Sequence, residues 1–463
     1  MLKSIRTTAL ALALAVAAAP AAAEDLMQIY QQARQADPTL AAAEAARGAG
    51  DAGADIARAP LLPQLSASLG YLHSDGGARS LTTQPDAAGN YVLVPFASTT
   101  RDRSRQAQGQ LTQSLFNWGN IERFRAARAS AAGASSDYDA ARQDLMVRTA
   151  NAYFGVLTAE DQLKFAQLNE KSLQKQLDQA EQRYQVGLSA ITDVHVARAQ
   201  HDAAVAQVIT AQNNVDTARE TLLQITGAAF GELKKLREQL PLEKPEPHDL
   251  QGWVDLAIAH SPLLASKQHA LEAADLNVDA QRAGHYPTLS ASLVRTDTPA
   301  WGTNSSMFGG ASLGSFPANG LTTNTTIGVT LSVPLFSGGL VTAQTRQAAF
   351  QRDAAQDQLE LTRRNVIAGT RNAYRAVIAG ISEVEATRQA VISAQSGLDA
   401  TQAGFEVGTK TILDVLTSQS TLLNAQSAYS QARHQFVLSG LQLKNAAGVL
   451  EVKDLEAVNA FLE

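Results

Sequence analysis

The chain has 463 residues, a formal net charge of -6 and no cysteine. That charge gives no support to nucleic-acid binding, and the missing thiols exclude disulfide staples, thiol catalysis and a lipidated N-terminal cysteine. The composition is rich in Ala and Gln and poor in aromatics, which favours helices that pack closely without a large core.

Residues 1–23 read as a secretory signal peptide. Lys3 and Arg6 form a positive start, 9–19 is an apolar run, and Ala21-Ala22-Ala23 offers a small-residue cleavage site before Glu24. The run is too short to span hydrocarbon comfortably, and the rest of the chain has no stretch of 18 apolar residues. If the exported chain crosses a membrane, a closed β-barrel is the form left to it.

After the leader the sequence is written twice. Asp25-Leu26, Pro38 and the run 62–68 align with Asp249-Leu250, Pro262 and 286–292. Leu115-Phe116 aligns with Leu335-Phe336, and Asn151-Ala152-Tyr153 with Asn372-Ala373-Tyr374. The segment 184–194 aligns with 405–415, and Gly227 with Gly448. The offset stays at roughly 220–224 residues throughout, which implies two equivalent repeats, 24–240 and 249–455. A Pro-rich connector, 241–248, separates them, and 456–463 forms a C-terminal tail.

Each repeat has the same order of elements. A helix over 25–60 or 249–284 comes first. Alternation of polar and apolar residues then predicts a strand over 64–71 or 288–294. A Gly-, Ser- and Thr-rich stretch, 74–102 or 296–323, reads as a surface loop. A second alternating strand, 108–116 or 325–336, closes each hairpin. Long Pro-free helices follow over 120–183 and 341–404, and each is answered by a returning helix, 192–226 and 411–447. At 1.5 Å per residue a 64-residue helix reaches roughly 96 Å, a length found in coiled coils and helical tubes.

The segment 405–416, with its counterpart 184–194, resembles the two helix-turn-helix tips of the TolC family of outer-membrane efflux proteins. Asn372-Ala373-Tyr374, Leu335-Phe336 and 441–448 agree with that resemblance, which covers nearly the whole mature chain. It implies an all-α, long coiled-coil helical barrel with an appended transmembrane β-barrel, internally duplicated. Each protomer of a homotrimer would give four strands to one shared twelve-stranded barrel. The resemblance also implies residence in outer-membrane lipid, with the helices reaching into the periplasm. The implied partners are a periplasmic adaptor, or membrane fusion, protein and an inner-membrane transporter of RND or ABC type.

Site residues follow from the same comparison. Gly187 and Gly408 suit tight helix reversals, where a permissive backbone is needed. With Leu188, Ser189 and Thr409 they match the tips where adaptors dock. Ser189 and Thr192, or Thr409 and Thr411, are candidates to cap the returning helices. Asp414 matches an acidic ring that narrows the channel at its closed end. A further acid one turn later is replaced here by Thr417. Lys410, Asp193, Thr192 and Phe405 match a latch that holds the closed state. Phe405 stands where the family commonly has Tyr, so no hydroxyl is available there to donate a hydrogen bond.

No nucleophile with a base, nucleotide loop or dinucleotide fingerprint occurs, and the eight histidines form no ligand set. His195 and His201, six residues apart, do not share a helix face. The reading is therefore a passive export duct without catalytic, cofactor or metal residues. It carries small molecules or proteins out of a periplasm-spanning complex. A type I protein secretion duct is the alternative within that class. A soluble periplasmic coiled-coil adaptor or scaffold is the alternative outside it.

Overall fold

A computed structural model describes residues 23–463. The signal peptide expected over 1–23 lies, apart from Ala23, outside the described residues. The chain forms α1 (Leu26–Ala36), α2 (Pro38–Arg58), β1 (Gln64–Pro85), β2 (Tyr91–Phe116), α3 (Trp118–Gln185) and α4 (Ile191–Thr226). The second repeat continues with α5 (Leu250–His260), α6 (Pro262–Arg282), β3 (Thr288–Phe308), β4 (Ala311–Pro317), β5 (Gly320–Ser332), α7 (Leu340–Glu406), α8 (Ile412–Ala446) and α9 (Val452–Asn459). Among the described residues no helix is long and apolar enough to cross a membrane.

The single helices expected at 25–60 and 249–284 are each two. Pro38 and Pro262 force the preceding residue out of the helical region, and Asp37 and Ser261 take ψ values of 118° and 116°. Asp37 then caps α2, accepting from the Leu40 amide at 2.7 Å. Both C-terminal glycines of the returning helices, Gly227 and Gly448, adopt positive φ. At Gly448 a Cβ would lie 2.6 Å from the His260 carbonyl oxygen.

The stretches expected as loops, 74–102 and 296–323, are mostly strand. β1 pairs with β2 without interruption from Gln64↔Thr112 to Pro85↔Tyr91. The hairpin turn is closed by Asp86, whose carboxylate accepts from the Ala88 and Asn90 amides at 2.8 Å. β2 pairs with β3, and β3 with both β4 and β5, so the fourth strand is interrupted only around 318–319. It ends at Ser332, and 333–336, expected as strand, lie outside it. Gly, Asp and Asn carry little strand propensity, but here the ladder satisfies the backbone, and one face needs no apolar side chains.

Residues directly opposite in an antiparallel ladder share a face. One face carries Leu65, Leu69, Tyr71, Leu111, Leu293, Ile327, Val329 and Leu331. The other carries Ser66, Ser68, Gln108, Gln110, Thr112, Ser292, Asn324 and Thr326. The apolar face is exposed, with Leu65, Leu69 and Ile327 each 80% accessible. Such a face is the lipid side of a barrel, and the polar one its lumen. β1 at one edge, and β4 and β5 at the other, have no further strand partner among the described residues. Open edges of this length are completed by further strands.

The chain divides into two compact units, and each draws on both repeats. One comprises 50–131 and 270–355 and contains the sheet. The other comprises 23–49, 132–269 and 356–463. Its main core gathers Leu26, Ile29 and Tyr30 of α1, Leu145, Tyr153 and Phe154 of α3, Leu222 of α4 and Leu441 of α8. Chain segments outside the long helices are fastened onto it. Glu24 bridges to Leu233, and Leu236 to Leu462. The two repeat tyrosines do equivalent work: Tyr153 donates to the Lys234 carbonyl at 2.8 Å, and Tyr374 to the His248 carbonyl at 2.6 Å.

Candidate functional site

The two helix reversals are built alike. α3 ends with the Gly187 amide donating to the Tyr184 carbonyl at 2.9 Å and the Leu188 amide to Arg183 at 2.8 Å. α7 ends with Gly408 donating to Phe405 at 3.1 Å and Thr409 to Gly404 at 2.8 Å. Gly187 and Gly408 have φ of 77° and 81°, a conformation that a side chain would strain. The sequence places both turns correctly because glycine in this role is a local requirement.

The returning helices start differently. Thr411 is the N-cap of α8, and its hydroxyl accepts from the Asp414 amide at 3.3 Å. The Asp414 carboxylate accepts in turn from the Thr411 amide and hydroxyl, both at 2.8 Å. These hydrogen bonds, and the nearby Lys410 ammonium, hold the Asp414 carboxyl below its ordinary range. In the first repeat Ala190 occupies the cap position and makes no side-chain cap. Ser189 does not supply it: its hydroxyl donates to the Ala190 carbonyl at 3.4 Å. Thr409 likewise donates to the Gly404 carbonyl, at 3.0 Å. The equivalent acids therefore differ: Asp414 is held by its own helix start, and Asp193 is not.

The reversals meet across a cavity of about 220 Å³ lined by Arg183, Leu188, Ser189, Asp193, Phe405 and Thr411, among others. The guanidinium of Arg183 stands 5.1 Å from the centre of the Phe405 ring. Nothing in the sequence pairs these two residues. Among the described residues no ion pair joins Lys410 to Asp193; the Lys410 stem instead crosses Gly404, where a Cβ would lie 2.7 Å from its Cγ. Thr192 lies exposed in the first turn of α4. Thr417 turns its hydroxyl to the Leu413 carbonyl of its own helix, at 2.8 Å.

Packing ties the tips together. Leu177 and Ala180 of α3 meet Val194 and Ala197 of α4. Leu398 of α7 meets Val415 and Leu422 of α8, with Phe405 against them. Leu416 packs with Leu173 and Ala204, joining α8 to the first helix pair. Yet Val186, Leu188 and Val407 remain 68%, 70% and 75% exposed. Apolar groups so placed at two turns form a surface suited to a partner.

A second feature was not apparent from the sequence. Between α3, α7, α8 and the segment 235–242 lies a cavity of about 890 Å³. Asp161, Arg388, Arg433 and His434 reach into it, and the Ser430 hydroxyl donates to the Asp161 carboxylate. His434 is buried, and burial pushes its pKa down to about 4. The Thr158 hydroxyl donates to the Phe154 carbonyl at 2.7 Å and lies 2.8 Å from His434 Nδ1, so it accepts the proton carried on that nitrogen. Among the described residues no group of three or more His, Asp or Glu is arranged to hold a metal ion.

The outer membrane efflux protein family model matches residues 29–228 and 253–449, one stretch in each repeat. The chain is 37% identical to the outer membrane protein TolC of Escherichia coli (strain K12) over 440 residues, 94% of this chain and 85% of that one. It is 28% identical to the alkaline protease secretion protein AprF of Pseudomonas aeruginosa over 439 residues, covering 94% and 86% of the two chains. Its fold matches the Campylobacter jejuni CmeC outer membrane channel with a TM-score of 0.71 at 17% identity, over 95% of this chain and 90% of that one. The chain belongs to the outer membrane efflux protein family. It is an outer-membrane export channel that extends into the periplasm, in a family made of channel proteins.

Proposed function

We propose that three copies of this channel complete one twelve-stranded barrel, and that the helix reversals form its gated periplasmic end. The observation that carries this reading is the sheet with two unpaired edges, an exposed apolar face and a polar one. In hydrocarbon every strand must be paired, so a single copy is incomplete there. At the tip, three copies of Asp414 around one axis form an acidic ring that favours cations. Lys410, Asp193, Thr192 and Phe405 hold the closed state. Asp193 is the acid left available for that contact, because Ala190 gives it no capping box. The turns at Gly187, Leu188, Ser189, Gly408 and Thr409 receive a periplasmic adaptor protein, which couples the duct to an inner-membrane transporter of RND or ABC type.

The cargo is small molecules or proteins. Similarity to TolC and to a protease secretion protein supports the general duct and the type I secretion reading alike. Sedimentation of the detergent-extracted full chain tests the assembly: a monodisperse trimer is expected, and a stable monomer with full sheet content overturns the shared barrel. Planar-bilayer recording under a salt gradient tests the gate, with Asp414→Ala expected to weaken cation preference. An unchanged reversal potential would remove Asp414 from the constriction.

A further inference from the structure

The duplication of the chain extends to the registers of its sheet. Residues 62–68 align with 286–292, an offset of 224 that carries β1 onto β3. Leu115-Phe116 aligns with Leu335-Phe336, an offset of 220 that carries β2 onto β5. Applied to the first hairpin, these offsets reproduce the second. Gln64↔Thr112 becomes Thr288↔Ser332, and Gly76↔Thr100 becomes Ala300↔Gly320. Near the tip, Thr82↔Val94 becomes Ser306↔Gly314, on β4. The two hairpins are therefore equivalent residue by residue up to that row.

The junction between hairpins has an equivalent too. β2 of the first hairpin pairs with β3 of the second, from Phe96↔Phe308 to Phe116↔Leu289. Its counterpart joins the descending strand of the second hairpin, β4 and β5, to β1. Within one copy those are the two open edges of the sheet. A second copy supplies the junction. The β4–β5 edge is also unguarded: from 298 to 345 the chain has no Asp, Glu, Lys, Arg or His. A strand that stays at an edge is commonly protected by charge.

Carried across by the same offsets, the β2–β3 register fixes this seam. Leu111↔Leu293 becomes Leu331 opposite Leu69 of the next copy, and Gly109↔Arg295 becomes Val329 opposite Tyr71. Phe96↔Phe308 becomes Phe316 opposite Gln84 at the top, and Phe116↔Leu289 becomes Phe336 opposite Leu65 at the base. Two further properties agree with it. The seam spans 65–84, which leaves only the terminal residues Gln64 and Pro85 of β1 outside. It also keeps the faces, since Leu331, Val329, Leu69 and Tyr71 all lie on the apolar one. A slip of one residue would set Leu331 and Val329 against Ser68 and Gly70.

The base of the seam accounts for 333–336. This segment follows the last residue of β5, and among the described residues no strand lies beside it. Leu335 and Phe336 are 93% and 89% exposed, whereas their counterparts Leu115 and Phe116, beside β3, are 53% and 42% exposed. In the seam Val333 meets Ala67, Pro334 meets Ser66 and Phe336 meets Leu65, with Leu335 at the bulge that Leu115 occupies in β2. Pro334 has no amide to donate, and a bulge is where a sheet accepts that.

We infer that β1 of one copy pairs with β5 and β4 of the next in this register, and that 333–336 become strand only in that pairing. The inference rests on the trimeric barrel proposed above and specifies its seam.

The chain has no cysteine, so introduced pairs report without background. The full chain carries Val329→Cys with Tyr71→Cys, or Thr326→Cys with Ser74→Cys, and is oxidised in detergent. Successive pairs along an antiparallel ladder alternate in type, so one of these two is the close, non-hydrogen-bonded type that a disulfide bridges. That pair should shift most of the chain from monomer to covalent trimer on a denaturing gel. Pairs slipped by two residues, Val329→Cys with Leu69→Cys or His73→Cys and Thr326→Cys with Leu72→Cys or Gly76→Cys, should leave it monomeric there. In the wild type, hydrogen exchange at 333–336 should be slowed to the level of 113–116. Sedimentation of each sample separates the outcomes. A monomeric wild type overturns the trimeric barrel and the seam with it. A trimer that closes only at slipped pairs, or at none, overturns the seam and leaves the barrel. So does rapid exchange at 333–336 in the wild-type trimer, a measurement that decides even where a double variant does not assemble.

Discussion

The guanidinium of Arg183, at the end of α3, lies 5.1 Å from the ring centre of Phe405, at the end of α7. It joins the two repeats where their reversals meet. The ring's negative face attracts the cation by about 0.5–1 kcal/mol at an exposed site, and no hydroxyl is required. Arg183→Ala and Phe405→Ala should each raise the open fraction of single channels in planar bilayers by roughly two- to fivefold, and Phe405→Tyr should preserve the closed state. Equal open fractions in Arg183→Ala and wild type would separate this contact from the gate.

Asp414 should keep its charge in acid. Its carboxyl is held low by hydrogen bonds from the Thr411 amide and hydroxyl and by Lys410. Cation preference should therefore persist as pH falls to about 4, near the ordinary value for a carboxyl. Thr411→Val removes the hydroxyl donor and should move the loss of selectivity to higher pH than in wild type. The measurement is reversal potential against pH, and identical curves would refute the coupling. Thr417→Asp should strengthen block by trivalent cations, because it adds three carboxylates to the same end.

His434 makes stability depend on pH. Folded, its pKa is pushed down to about 4 by burial; unfolded, it returns to about 6.5. Between those values the unfolded chain binds the additional proton, so stability is lost as pH falls through 6.5 toward 4. The whole window amounts to roughly 3 kcal/mol per site. His434→Asn retains a donor for Thr158 and cannot protonate, so its melting temperature should fall less than wild type between pH 7 and pH 5. Parallel pH profiles would exclude His434 as the titrating group.

Asp37 and Arg148 fasten α2 to α3. Arg148 donates to both Asp37 oxygens, at 2.9 and 3.1 Å, while Asp37 also caps the helix that Pro38 begins. The Arg148 hydrogen bonds, foremost, hold the Asp37 carboxyl below its ordinary range. The contribution is complete above the unfolded value of about 3.8 and is lost as pH falls through the lower folded value. Asp37→Ala removes a cap but leaves Arg148 its Asp144 partner at 2.6 Å, so it should destabilise by about 1–2 kcal/mol. Arg148→Met should cost more, about 3–5 kcal/mol, because it leaves the buried Asp37 carboxylate without its cation, and thermal unfolding in detergent distinguishes the two.

The elements that depend on neighbours along the chain are legible in the sequence. The offset between repeats, the Pro-free runs that became α3 and α7, and the glycines at 187 and 408 are all local requirements of backbone and side chain. Relations between distant residues could not be read in that way. The Ser- and Thr-rich stretch at 74–102 looks like a loop until β2 supplies hydrogen bonds to β1 along its full length. Tyr153 and Tyr374 stand out as a repeated motif, but only the folded chain brings the Lys234 and His248 carbonyls to their hydroxyls. Folding also hides His434 behind 235–242 and sets Arg183 over Phe405. Such contacts are chosen by packing over distances that no sequence period encodes, so they belong to the tertiary structure alone.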